Sequence, residues 1–174
     1  MNRGAAAAGS AIFFVVAPGF VVGLVPWWLS HWQFRSALWD RQPVRWLGAA
    51  LITAGLAGVL DSFTRFALEG RGTPAPILPP DTLVVRGLYR YVRNPMYVML
   101  LAVLLGQGLF FGSASILIYA AIAWLITDLF VRSYEEPTLR RTFGGQYEAY
   151  CSHVRRWLPR ASPWKGPASD SAQS

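Results

Sequence analysis

Hydrophobic positions along the chain fall into long blocks, with the polar positions gathered between them. The first block, Ala11–Ser30, has about the twenty residues a helix needs to cross the hydrocarbon core of a bilayer. It is long for the apolar part of a secretory leader, and Pro26-Trp27-Trp28 makes a poor cleavage site, so a retained anchor is expected. Trp27, Trp28 and Trp32 suit the aromatic belt at a membrane surface. Pro18 and Pro26 are tolerable where neighbouring helices satisfy the freed backbone groups. A polar connection, His31–Arg45, leads to a second block from Trp46 to about Ala67. Its Gly48, Ala49, Gly55 and Gly58 predict close helix packing. Near its end Asp61 precedes Arg65 by one turn, the spacing of an ion pair on a helix surface.

Glu69–Pro80 contains Pro74, Pro76, Pro79 and Pro80 and predicts an extended connector. The longest apolar block follows, Tyr97–Val131. As one helix it would be about 52 Å long at about 1.5 Å per residue, against a hydrocarbon core of about 30 Å. Strand alternation is missing, so a helical hairpin turning near Gly112-Ser113 is predicted. Gly106-Gln107-Gly108 lies inside that hairpin with no strand before it, which reads as helix packing and not as a dinucleotide fingerprint. Asp128 stands four residues before Arg132 and predicts an ion pair at a helix end. From Arg132 to Arg160 the chain is charged. Leu139, Phe143, Tyr147, Tyr150 and Val154 recur at helical spacing, and Gly144-Gly145 should bend or break that helix. The predicted fold is all-α: an integral membrane bundle of about four transmembrane helices with a C-terminal amphipathic interfacial helix. Residues 1–67 form the first two spans, 68–160 carry the hairpin and the polar segments around it, and 161–174 form a disordered tail.

Composition strengthens the membrane reading. Of 174 residues 53% are hydrophobic and only 14% charged, where soluble domains carry roughly a quarter charged. The net charge of +7 then implies anionic lipid as a partner and not nucleic acid, because the arginines flank apolar blocks. With four spans, Arg35, Arg41 and Arg45 face one side and the remaining basic residues the other, so both termini should be cytoplasmic. The predominance of arginine over the single Lys165, with abundant alanine and glycine, points to a bacterial inner membrane protein. Cys151 is the only cysteine, and His31 and His153 lie far apart without a carboxylate cluster. No disulfide framework and no metal site are expected.

Two polar clusters flank the hairpin. Asp81–Tyr97 leads into it with three arginines and three tyrosines; Arg132-Ser133-Tyr134-Glu135-Glu136 leaves it. A hairpin makes them neighbours, with arginines and an amide facing paired carboxylates. They could pair with each other at the membrane surface, or hold the two ends of a zwitterion such as an amino-acid moiety.

The first cluster runs Thr82-Leu83-Val84, then Gly87-Leu88-Tyr89, then Arg93-Asn94-Pro95-Met96-Tyr97. The second runs Glu135-Glu136-Pro137-Thr138-Leu139, then Phe143-Gly144-Gly145-Gln146-Tyr147-Glu148-Ala149-Tyr150, closing on Leu158-Pro159-Arg160. Together they resemble the isoprenylcysteine carboxyl methyltransferase family, within the wider set that includes phospholipid N-methyltransferases. The resemblance covers about residues 80–160. It implies an integral membrane enzyme with S-adenosylmethionine as methyl donor, bound in a cytoplasm-facing pocket closed by the C-terminal segment. A lipophilic substrate of carboxylate or thiol type would arrive from the bilayer.

By resemblance, Asp81, Thr82, Leu83 and Val84 would surround the nucleoside with backbone contacts. Tyr89, Arg93, Asn94, Pro95, Met96 and Tyr97 would contact the donor, Glu135 would hold a polar end of it, and Tyr147 would complete the set. The catalytic candidates are Arg132, for a substrate carboxylate, and Glu136. The family often has histidine where this chain has Asn94, which can hydrogen-bond but not protonate. Methyl transfer from a sulfonium is an in-line displacement, so orientation and water exclusion should carry much of the rate. A carboxylate or thiolate acceptor needs no base; an amine must lose a proton, and Glu135 or Glu136 could take it. Two alternatives stand beside the main reading: a phospholipid N-methyltransferase acting on an amine headgroup, and a non-catalytic membrane protein binding anionic lipid or a partner.

Overall fold

The computed structural model describes residues 16, 18–34, 42–69, 83 and 85–166, with only the backbone described at 63 and 65–69. The described residues hold helices and no strand. The first helix, α1 (Phe20–Ser30), opens on a wide π turn at Phe20–Leu24 and continues as a regular helix with Pro26 in its first turn. Proline has no N–H to donate, and a wide turn ahead of it is one way the helix accommodates the gap. Carbonyls of the wide turn are met from outside: Gln107 Nε2 donates to Val22 O at 2.6 Å and the Tyr119 hydroxyl to Val21 O at 3.2 Å. These bonds tie α1 to the hairpin. His31 and Trp32 then take left-handed backbone angles and stop the helix. Ser30 Oγ stitches the turn by donating to Pro26 O and accepting from Trp32 N.

Helix α2 (Gln42–Glu69) packs along α3 (Pro95–Phe111) through glycine. A Cβ on Gly48 would lie 2.8 Å from the Gly106 carbonyl oxygen, and one on Gly106 would lie 2.7 Å from that of Gly48. The two backbones therefore touch, as small residues permit between membrane helices. Gly55 and Gly58 continue the same face against Val103 and Met99. The small-residue pattern anticipated in α2 thus has a defined partner, and Gly106 of the Gly-Gln-Gly triplet belongs to that contact.

The hairpin turns where expected. Gly112 closes α3 at φ +65°, a left-handed angle that favours glycine. Ser113 then caps α4 (Ala114–Phe130) by accepting a hydrogen bond from Ile116 N. A second π turn, Val131–Glu135, carries the helix into α5 (Glu136–Phe143), and α6 (Gly145–His153) follows a break at Gly144, φ +48°. The predicted C-terminal helix is therefore two short helices, and residues 154–166 run back as an extended strap.

Two helices are long and apolar enough to cross a membrane, Gln42–Ser62 and Ala114–Phe143; Phe20–Ser30 and Pro95–Phe111 are apolar but shorter. Large apolar side chains point outward from both long helices, among them Leu47, Leu56, Leu60, Ile118, Leu125 and Leu129. Such surfaces suit lipid and would be costly in water. The predicted start of the first span, residues 11–15, lies outside the described residues.

Candidate active site

The strap organises the polar end of the molecule. Arg93 N donates to Arg155 O, Arg160 N to Tyr91 O and Trp164 N to Arg90 O, each near 3 Å. Asn94 Nδ2 reaches Arg156 O at 3.3 Å, and Arg90 Nε reaches Trp164 O at 2.6 Å. Trp164 itself closes an aromatic cluster with Tyr147, Tyr150 and Val154, against which Leu83, Val85 and Cys151 pack. Segment 90–94 is thus held through its backbone by chain some sixty residues later, and residues 161–166, read from sequence as tail, are part of the packing.

On this frame the neighbouring glutamates part company. Successive positions on a helix point about 100° apart, and here they meet different partners. Glu136, 5% exposed, accepts from Arg156 through both carboxylate oxygens at 2.6 and 2.8 Å and lies 3.1 Å from Arg93 Nη1. Two guanidiniums around one buried carboxylate make a fixed structural unit. Pairing with Glu136 also pushes the Arg156 guanidinium further up from its already high value. Glu135 instead accepts a hydrogen bond from the neutral Tyr97 hydroxyl at 3.3 Å. Among the described residues no cation contacts it.

Arg93 belongs to the Glu136 side. Its Nη1 donates to Cys151 Sγ at 2.8 Å and pairs with Glu136, while its buried Nε has no hydrogen-bond partner. An unsatisfied guanidinium N–H in a buried place is costly and calls for an acceptor. Cys151 is accounted for by this contact and by packing.

The other predicted site residues are placed as follows. Asp81, Thr82 and Val84 lie outside the described residues. Pro95 is buried in the first turn of α3, Met96 is half-buried beside it, and Tyr147 sits in the aromatic cluster at 3% exposure. Arg132 turns away, its Nε 2.7 Å from Asp128 Oδ2; this is the expected ion pair. Trp157 adds what the sequence did not suggest: its indole N–H donates to Asp128 at 2.7 Å, and its ring lies 6.5 Å from that of Tyr97. Arg156 and Trp157 belong to the strap, which carries no periodic pattern, and only the Leu158-Pro159-Arg160 ending hinted that the region matters.

Tyr89 links this site to a second feature. Burial pushes its phenol well above the usual range, and the carboxylates of Glu135 and Asp61 both push further in that direction. Its backbone carbonyl accepts from the Tyr150 hydroxyl at 2.6 Å; burial is also the first cause raising Tyr150, and raises Tyr147. On either side of Tyr89, Leu88 and Arg90 line an open cleft of about 720 Å³ against Gly58 and Asp61 of α2 and Met99 of α3, with Pro163 of the strap at its edge. Tyr97 and Glu135 do not line this cleft.

A family model described as phospholipid methyltransferase matches residues 43–146. A phosphatidylethanolamine N-methyltransferase of Phaeosphaeria nodorum is 31% identical over 167 residues, covering 84% of this chain and 18% of that protein. An uncharacterized protein of Haemophilus influenzae is 36% identical over 63 residues, which is 36% of this chain and the whole of that protein. The chain thus spans less than a fifth of the length of the first relative. No solved structure matches it.

Proposed function

Because the chain belongs to the phospholipid methyltransferase family, whose members take their methyl group from S-adenosylmethionine, we propose that it is a membrane methyltransferase acting on the amine headgroup of a phospholipid. The observation that carries the site is the separation of the twin glutamates. Glu136 is occupied by Arg93 and Arg156, which leaves Glu135, held among the described residues by a phenol alone, to meet a cation.

The residues fit the amino-acid end of the donor. The spare Nε of Arg93 offers a hydrogen bond to a carboxylate, and Glu135 with Tyr97 offers acceptors to an ammonium. Asn94, buried and tied to the strap, fixes the approach of the chain into α3. When bound, S-adenosylmethionine supplies an electrophilic methyl on a sulfonium. Glu136 acts here as a positioning residue, setting Arg93, and the strap excludes water from the polar end.

The Phaeosphaeria relative, a phosphatidylethanolamine N-methyltransferase, supports the amine acceptor. So does Arg132: the cation expected to hold a substrate carboxylate is half-exposed and bound to Asp128. The family match lies in the wider set and gives the isoprenylcysteine branch, with its carboxylate acceptor, no separate support. Four apolar helices with both termini and the polar end on the cytoplasmic side complete the reading, in line with the basic residues gathered there.

The test is transfer of labelled methyl from S-adenosylmethionine by the purified chain in micelles containing phosphatidylethanolamine. Label in a base-stable methylated amine lipid is expected. Label released by mild base, as from an ester, would overturn the amine acceptor.

A further inference from the structure

The strap sets one aromatic ring against Tyr97 that the donor site described above does not use. Trp157 is half-buried and fixed at its edge: its indole N–H donates to Asp128 Oδ1 at 2.7 Å, and Arg132 Nε holds the other carboxylate oxygen at 2.7 Å. One residue earlier, Arg156 is pinned to Glu136 through both carboxylate oxygens, so two neighbouring side chains of the strap are clamped here. Tyr97 is half-buried too, and its hydroxyl is committed to Glu135. The two ring centroids lie 6.5 Å apart and the ring planes meet at 57°, as two walls of a corner do. Indole has a single donor and no acceptor. With that N–H engaged, Trp157 has its ring faces to offer a ligand.

We propose that Trp157, with Tyr97, is the aromatic wall that recognises the sulfonium charge of the donor. The proposal rests on the donor site argued above and adds a residue to it. Ring faces attract cations, indole most strongly, and alkylated onium groups are the cations such walls suit best. A carboxylate at the N–H edge polarises the indole and strengthens that face. Tyr97 joins the two halves of the site: its hydroxyl lies on Glu135, where the ammonium of the amino-acid end is placed, and its ring adjoins Trp157. A short alkyl chain links that ammonium to the sulfonium, which brings the sulfur alongside the rings. Asp128 and Arg132 then serve as positioning residues for the indole, a role the rest of the site leaves unfilled for that ion pair. On transfer the acceptor nitrogen's lone pair forms the new bond to carbon, and the sulfur keeps the electrons of the bond that breaks. The spent donor is a neutral thioether, so the wall loses its hold on it and favours its exchange for fresh donor.

The experiment titrates S-adenosylmethionine and S-adenosylhomocysteine into the full chain in micelles by calorimetry, wild type against Trp157→Leu and Trp157→Phe. The second ligand has the same amino-acid end and lacks the sulfonium charge. Trp157→Leu is expected to weaken the donor about fivefold and the thioether by less than about twofold; Trp157→Phe, which keeps a ring face, should fall between it and the wild type. A chain made with 5-fluorotryptophan keeps the shape of every ring and weakens its face. It should lose about twofold of its preference for donor over thioether. The same label in Trp157→Phe should cause no further loss, which assigns the effect to this ring among the eight tryptophans. Equal losses for donor and thioether in Trp157→Leu, or no loss for either, would overturn the wall and leave the donor site standing. If Trp157→Leu does not fold, the fluorinated chain decides, and an unchanged preference there overturns the wall. A folded wild type that binds neither ligand would end the donor site and the wall together.

Discussion

At the scale of single residues, the proposed site divides labour between two adjacent carboxylates. Glu136 neutralises two guanidiniums in a buried setting, and removing one partner of such a group leaves charge stranded. Glu136→Gln should therefore destabilise the protein by about 3 kcal/mol, seen as a lower melting temperature in detergent; an unchanged melt would refute the structural role. Tyr97→Phe is a milder change. Its bond to Glu135 is long at 3.3 Å, so its loss should weaken donor binding by about 0.5–1 kcal/mol, a few-fold in Kd, without altering the melt. A change beyond about tenfold would mean the phenol touches the donor in some further way.

At the scale of elements, the turns and the helix contacts were legible because they depend on local chemistry. Gly112-Ser113 announces a left-handed cap and an N-cap; glycines on one face of α2 announce close approach; Asp128 and Arg132 are four apart. The strap was not legible. Arg156 meets Glu136 twenty residues away, Trp157 meets Asp128, and Trp164 closes over Arg90, through a segment with no helical or strand periodicity. The parting of Glu135 and Glu136 was also hidden, since the partner that claims Glu136, Arg156, lies on the strap twenty residues away. The helix contact yields a firm expectation. Gly106→Leu would press a side chain on the Gly48 carbonyl, where backbone cannot yield, and should cost about 1–3 kcal/mol or more. A melt equal to wild type would show that α2 and α3 do not pack through these residues.

For the whole molecule, the strap, the aromatic cluster and the hairpin form one cooperative polar end. Tyr89, Tyr147 and Tyr150 are all buried there with phenols raised above the ordinary value near 10. In the unfolded chain they would ionise near 10, while in the folded one they keep their protons. Their contribution to stability is thus whole below about pH 10 and is lost as pH rises beyond it. Alkaline unfolding followed by circular dichroism should coincide with the appearance of phenolate absorbance. Phenolate appearing well before unfolding would contradict the burial. Apolar helices meet at this polar end, and the question that decides the account is whether the donor binds where Arg93 and Glu135 stand. Calorimetric titration of S-adenosylmethionine into the full chain in micelles, wild type against Glu135→Gln, answers it. The account predicts measurable heat for the wild type and affinity at least tenfold weaker for the variant, with equal melting temperatures; equal affinity in the two, or no binding by a folded wild type, would contradict it.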